Sequence, residues 1–320
     1  MKKIQTKIIT MIVLATVCVS FTTGLMGMLV TRYSTTAAIE KNLRETADLA
    51  ALAAQNMIST YTLTIAEIAS NPTLVDDDVS LEEKQAFIQA RADAYYMRMG
   101  GLADVRGYDA AHRTDISQEP FFQEALQGRN YMSVPYIDGN DIYIMVSSPI
   151  LEGDTVKGVL YFQCDTYILQ SIIEGLQIGE EGEAYILDKE GTTIAYVDQQ
   201  SVMDRENIIR EAAASPKDKD LQTVAAIESR MVAGETGVVR YSYAGDHSKN
   251  IQAFAPIPGT DGWSIAVNID EEEFMRPAFY GNIIQIAICV AACLIVIVIS
   301  GKVSRSIANP IVRCAQRLQT

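Results

Sequence analysis

Residues 115–122 read DISQEPFF, and in this stretch Glu119 stands two residues before the pair Phe121 and Phe122. A carboxylate crowded against aromatic rings is a candidate binding group. The same residues also fit a plain helix start. Ser117 then caps a helix from Gln118, proline is tolerated in the first turn, and Glu119 favours the positive dipole end while facing water. Other groups carry less. Asp138-Gly-Asn-Asp141 lacks the alternating acids and distal glutamate of a calcium loop and reads as a hairpin turn. His112 and His247 are the only histidines, too few for a histidine-rich metal site. Asp76 to Asp78 is a solvated charge run, and neither a phosphate-cradling glycine loop nor a nucleophile elbow occurs. No metal and no cofactor is expected.

The elements that position these groups begin with the membrane. Residues 8–31 and 277–301 are free of charge, and each run is long enough to cross a hydrocarbon core of about 30 Å as a helix. Lys2, Lys3 and Lys7 would also suit the n-region of a signal peptide. The first run outlasts a usual h-region, however, and no small-x-small cleavage site follows it cleanly, so an uncleaved anchor is the reading. Lysines flank the first span, Lys302, Arg305, Arg313 and Arg317 flank the second, and neither flank holds an acid. Both ends are therefore expected in the cytoplasm. All 40 acids and 19 of the 26 basic residues lie between Arg32 and Arg276, a net charge near −21. Such a segment repels polyanions, which argues against nucleic acid as a partner. Cys164 is its only cysteine, so its stability must come from a core and not from an internal disulfide.

Between the spans, Ile39, Leu43, Ala50, Met57, Ile65 and Ile68 form one apolar helical stripe. It serves either a dimer seam or a sheet's backing, and it ends at Asn71-Pro72. Residues 81–99 read as a second helix and 118–128 as a short third one ending on Gly128. DIYIMVSSPI and TVKGVLYFQCD then read as strands around the turn EGD. A second β-rich unit starts near residue 176: two strands joined by Asp188 to Gly191, another pair turning at Gly245-Asp246, and a last strand after the core residue Trp263. Asp270 is placed to cap a helix with Glu271 to Glu273 in its first turn.

DISQEPFFQEALQG, YMSVPYID, SSPI, GVLYFQCD, GEEGEAYILDKEGTTIAY and GTDGWSIAV occur in that order between the spans, and SRSIANPIVRCAQRL, with Pro310, follows them. In this the chain resembles bacterial methyl-accepting chemotaxis proteins with a double Cache sensor, followed by the start of a HAMP linker. The resemblance implies an α+β fold: a long N-terminal helix and two antiparallel-sheet, PAS-like modules flanked by transmembrane helices. The implied map is a cytoplasmic N-terminus 1–7, a span 8–31 and an extracytoplasmic sensor 32–276. Within the sensor lie a stalk helix 32–71, a membrane-distal module 72–175 that holds the ligand, and a membrane-proximal module 176–272. A span 277–301 and the HAMP start 302–320 complete it.

In amino-acid-sensing members an arginine before the proline, then tryptophan and tyrosine, grips the ligand carboxylate, while Tyr-x-Asp and a later aspartate grip its amine. By position Tyr136 and Asp138 match Tyr-x-Asp, and Asp165 matches the later acid. Glu119, Phe121 and Phe122 replace the carboxylate-binding half. The resemblance thus implies a small-molecule site at Glu119, Phe121, Phe122, Tyr136, Asp138 and Asp165. One of the two phenylalanines would face the cavity and the other the core. Three carboxylates around one cavity raise one another's pKa unless a cation sits among them. Desolvated rings add about 0.5–2 kcal/mol of cation–π attraction. The expected ligand is an amine, with an amino acid, a carboxylate or a pyrimidine as alternatives. The receptor is expected in the cell membrane as a homodimer that signals to a chemotaxis kinase. The same sensor on a histidine kinase or a diguanylate cyclase is the alternative, and the sequence after Thr320 decides between them. Glu119, Asp138 and Asp165 would also suit acid–base work in a hydrolase. An acidic box with aromatic walls describes pure binding equally well, and no enzyme activity is expected.

Overall fold

The computed structural model describes residues 2–176, 182–242 and 248–317, with side chains described between 10 and 302 of these. The first predicted span and the stalk are one helix, α1 (Lys2–Ala69). Its hydroxyl residues bond back to carbonyls four residues earlier, as Thr22 does to Cys18 at 2.9 Å, so they break no helical ladder. Asn71 ends the run and caps α2 (Pro72–Val75) through the Thr73 amide. Next comes α3 (Leu81–Ala94), opened by a Ser80–Glu83 capping box. It stops five residues before the expected Met99, because Met99-Gly100-Gly101 opens a strand. That strand is β1 (Met99–Asp104). A Cβ on Gly100 would collide with Ile88 and the Phe162 ring, so this position requires glycine to let the strand approach its neighbours.

The first sheet continues with β2 (Tyr108–Asp109), β3 (Thr114–Asp115), α4 (Pro120–Leu126), β4 (Tyr131–Met132), β5 (Tyr136–Asp138), β6 (Asp141–Glu152) and β7 (Thr155–Asp165). Its order is β3-β2-β1-β7-β6-β4, and β5 pairs separately with β6. The register sets Tyr136 opposite Tyr143 and Tyr143 opposite Asp165, so these three share one face. Ile144, Val146, Phe162 and Cys164 alternate onto the other face, and all four are buried. Burial pushes the Cys164 thiol up to about 12, so this lone cysteine is an inert core residue.

After α5 (Tyr167–Glu174) the second sheet is built from β8 (Glu183–Leu187) and β9 (Thr193–Tyr196). Helices α6 (Gln199–Met203), α7 (Ile208–Ala214) and α8 (Lys219–Val232) follow, then β10 (Gly237–Ser242), β11 (Lys249–Pro256) and β12 (Ser264–Asp270). The strand order is β10-β11-β12-β8-β9. Trp263 is buried, as its place before the last strand predicts. The turn expected at Gly245-Asp246 and the ring of His247 lie outside the described residues, as do the side chains of 303–320 in the expected HAMP segment.

Along the α1 stripe Leu43, Ala50, Ile65 and Ile68 are buried, and Met57 accepts a hydrogen bond from Ser171 of α5 at 3.5 Å. From residue 42 to Asp270 the chain is one compact unit. A separate unit comprises residues 1–41 and helix α9 (Glu271–Arg317). There Gly24 lies against the Cys289 sulfur and Gly27 against Gln285, small residues that let two helices approach. Both α1 and α9 contain a stretch long and apolar enough to cross a membrane. The fold class is thus the expected one: a long N-terminal helix, two antiparallel sheets and two candidate membrane helices.

Candidate ligand-binding site

Helix α4 starts two residues later than the expected Gln118. Pro120 occupies its first turn and Glu119 is its N-cap residue, extended at φ −73° and ψ 134°, with no side-chain cap. Ser117 does not cap it; the Ser117 amide is held by the Asp115 carboxylate at 2.9 Å. The Glu119 carboxylate instead accepts the Tyr136 hydroxyl at 2.7 Å. Burial, and then this bond, push the Tyr136 phenol far above its ordinary range.

Four rings line the same face. Phe121 meets Tyr136 edge-on with centroids 6.3 Å apart and lies tilted against Tyr161 at 5.5 Å. Tyr136 stacks on Tyr143 at 5.7 Å and 6°. Both phenylalanines are buried, but these ring contacts belong to Phe121, while Phe122 is a large core side chain at 1% exposure. Tyr161 is fixed from below by a group that the sequence does not single out. Its hydroxyl donates to the fully buried Asp109 at 2.6 Å. Asp109 also takes the His112 ring at 2.9 Å and the Ala111 and His112 amides. Burial raises the Asp109 pKa, yet the bonds from Tyr161 and His112 outweigh it and leave the carboxyl below its usual range. Gly101 makes the arrangement possible, since a Cβ there would overlap both the Tyr161 phenol and the Asp109 carboxylate.

The acids surround the stacked tyrosines. Burial raises the Tyr143 phenol, and so do the nearby charges of Asp138, Glu119 and Asp141, in that order. Asp138 is exposed at the hairpin end, opposite Asp141. Asp165 is paired within the chain. Arg98 bridges it at 3.1 Å and Asp141 at 2.5 Å, and Arg98 with the Tyr167 amide holds Asp165 below the usual carboxylate range against partial burial. Of the three expected carboxylates, Asp165 thus meets a cation of the chain itself and Glu119 the Tyr136 hydroxyl. Of the four acids Glu119, Asp138, Asp141 and Asp165, the last two share the Arg98 guanidinium and Glu119 holds the Tyr136 hydroxyl. Arg98 lies in the expected 81–99 helix but, in the structure, between α3 and β1. Among the described residues no cluster of three or more metal-ligating side chains is found.

The Cache domain family model matches residues 31–278. The chain belongs to the Cache domain family. This Cache chain is also similar to solved structures. One is the ligand-binding domain of the Pseudomonas aeruginosa PAO1 amino acid chemoreceptor PctB in complex with L-Gln. The two are 20% identical, with a TM-score of 0.55, over 74% of this chain and 93% of that one. Another is the ligand-binding domain of the Pseudomonas fluorescens chemoreceptor CtaA with L-isoleucine, at 17%, TM-score 0.57, over 76% and 97%. A third is the extracellular domain assigned to a histidine kinase, mmHK1S-Z2, at 13%, TM-score 0.55, over 73% and 98%. At these identities the likeness is one of fold. No curated protein matches the chain.

Proposed function

We propose that this Cache chain is the sensing part of a membrane-anchored bacterial receptor that binds a small cationic molecule, an amine, in its first sheet module. The observation that carries the reading is the charge count at the cup: four carboxylates against Arg98, set around the stacked Tyr136 and Tyr143. An ammonium placed there gains from the acids and from ring faces. A free α-carboxylate meets Glu119 where the amino-acid receptors of this family carry an arginine, and Arg98 is already engaged by two aspartates. Amino-acid ligands in the similar structures favour the second reading, an amino acid with its amine in this cup.

Both chain ends are placed in the cytoplasm, residues 32–276 outside, with a membrane-distal module 72–175, a proximal module 176–272 and a HAMP start at 302–320. Ligand binding favours one of two conformations, and the shift passes through the second span to the output. Chemotaxis signalling as a homodimer is the favoured output, with a histidine kinase or diguanylate cyclase as the alternative. The full chain in lipid nanodiscs, titrated calorimetrically with putrescine, isoleucine, succinate and uracil, tests the ligand class. Putrescine is expected to bind, and Glu119→Gln to weaken it about tenfold, as loss of a charged hydrogen-bonding partner worth about 1.5–3 kcal/mol permits. Succinate binding without putrescine binding overturns the cation reading.

A further inference from the structure

Behind the cup, between the two sheets of the compact unit, lies a cleft of about 310 Å³, at the lower end of the range of small-molecule sites. One wall is Val134, Pro135 and Ile137 from the first sheet module; the opposite wall is Ile194 and Val202 from the second. Arg205 and Arg210 line it together with Thr192. Among the described residues neither arginine has an ion-pair partner, in a segment whose net charge is near −21. Two acids line the cleft as well. Asp188 is turned into its own loop, where its carboxylate accepts the Glu190 and Thr192 amides at 2.9 and 2.8 Å. That leaves Glu190 alone against two guanidiniums.

Arg205 is also conformationally unusual. It closes α6 in the left-handed region, with φ 53°, at a helix end where glycine or asparagine is the common residue. An arginine held there carries a conformational cost that glycine would avoid. A guanidinium recognises a carboxylate through two parallel hydrogen bonds, and the apolar walls match an aliphatic body. We infer that the cleft between Ile137 and the Arg205–Arg210 pair is a second ligand site, which takes a small aliphatic carboxylate. None of its residues belongs to the amine cup, so the site stands or falls independently of that assignment.

The test titrates the full chain in nanodiscs with butyrate, acetate and inorganic phosphate at constant ionic strength. Butyrate is expected to bind saturably and more tightly than acetate or phosphate. In Arg205→Asn/Arg210→Gln, with asparagine chosen because it tolerates the left-handed backbone, butyrate affinity should fall at least tenfold. Buried Trp263 reports whether the variant is folded; if it is not, Arg210→Lys replaces it, and its retained charge without a fork should give an intermediate loss. Absence of butyrate binding, unchanged affinity in the arginine variants, or phosphate binding as tight as butyrate overturns the assignment.

Discussion

Arg98 decides how the acids of the cup behave. Its guanidinium reaches Asp141 and Asp165, with the arginine side chain 32% exposed and the aspartates 55% and 56%. At that exposure each pair contributes only about 0–1 kcal/mol to stability, so Arg98→Gln should unfold at nearly the wild-type temperature. Its effect on the guest is larger in kind, because an incoming ammonium competes with the guanidinium for the same two carboxylates. Removing it should tighten putrescine binding about three- to tenfold, the range of one screened unit charge at short distance. Titration calorimetry reads this directly. Weaker binding would mean that Arg98 presents the aspartates and does not compete for them. Residues of the cup were only partly legible in the sequence. Glu119, Tyr136 and Phe121 sit in local motifs, so their types and spacing point at one another. Arg98 and Asp109 carry no such signal. Arg98 meets its partners 43 and 67 positions away, and Asp109 meets Tyr161 52 positions away, pairings that only the sheet register creates.

At the scale of elements, β5 is the shared part. Tyr136 and Asp138 alternate with Ile137 along this three-residue strand, so the first two serve the cup while Ile137 lines the cleft on the opposite side. A strand this short has little sheet to hold it, pairing only with β6. Two guests that pull on one strand cannot be independent. Saturating butyrate should change the putrescine Kd by at least about threefold, and saturating putrescine should change the butyrate Kd by the same factor, since coupling between sites is reciprocal. Equal affinities with and without the other ligand would show β5 to be rigid. Sequence patterns located the long strands β6, β7, β11 and β12, whose apolar runs outlast any ambiguity. They passed over β1, which begins inside an apparently helical run, and the two-residue strands β2, β3 and β4, which are too short to show a period. The helices α6 to α8 also went unread.

The stability of the whole folded unit is tied to one group that lines neither proposed site. Glu228 on α8 is buried at 3% exposure, and its Oε2 atom has no hydrogen-bond partner. Burial, followed by the charges of Glu206 and Glu211, raises its pKa to about 8 from an ordinary 4.5. With the folded value above the unfolded one, the native state holds the extra proton between these limits. Stability from this group is therefore complete below about pH 4.5 and is lost as pH rises toward 8, beyond which the loss is constant. Glu228→Gln keeps the shape without a titrating proton. At pH 8 it should be more stable than wild type by about 1–3 kcal/mol, the usual cost of an unsatisfied buried group, and near pH 5 the two should melt almost together. Thermal unfolding of both chains from pH 5 to 8.5 measures the divergence. Parallel curves across that range would mean that the Glu228 carboxylate finds solvent or a proton donor in the native state, and the pH dependence of the fold would then rest on the other titrating groups.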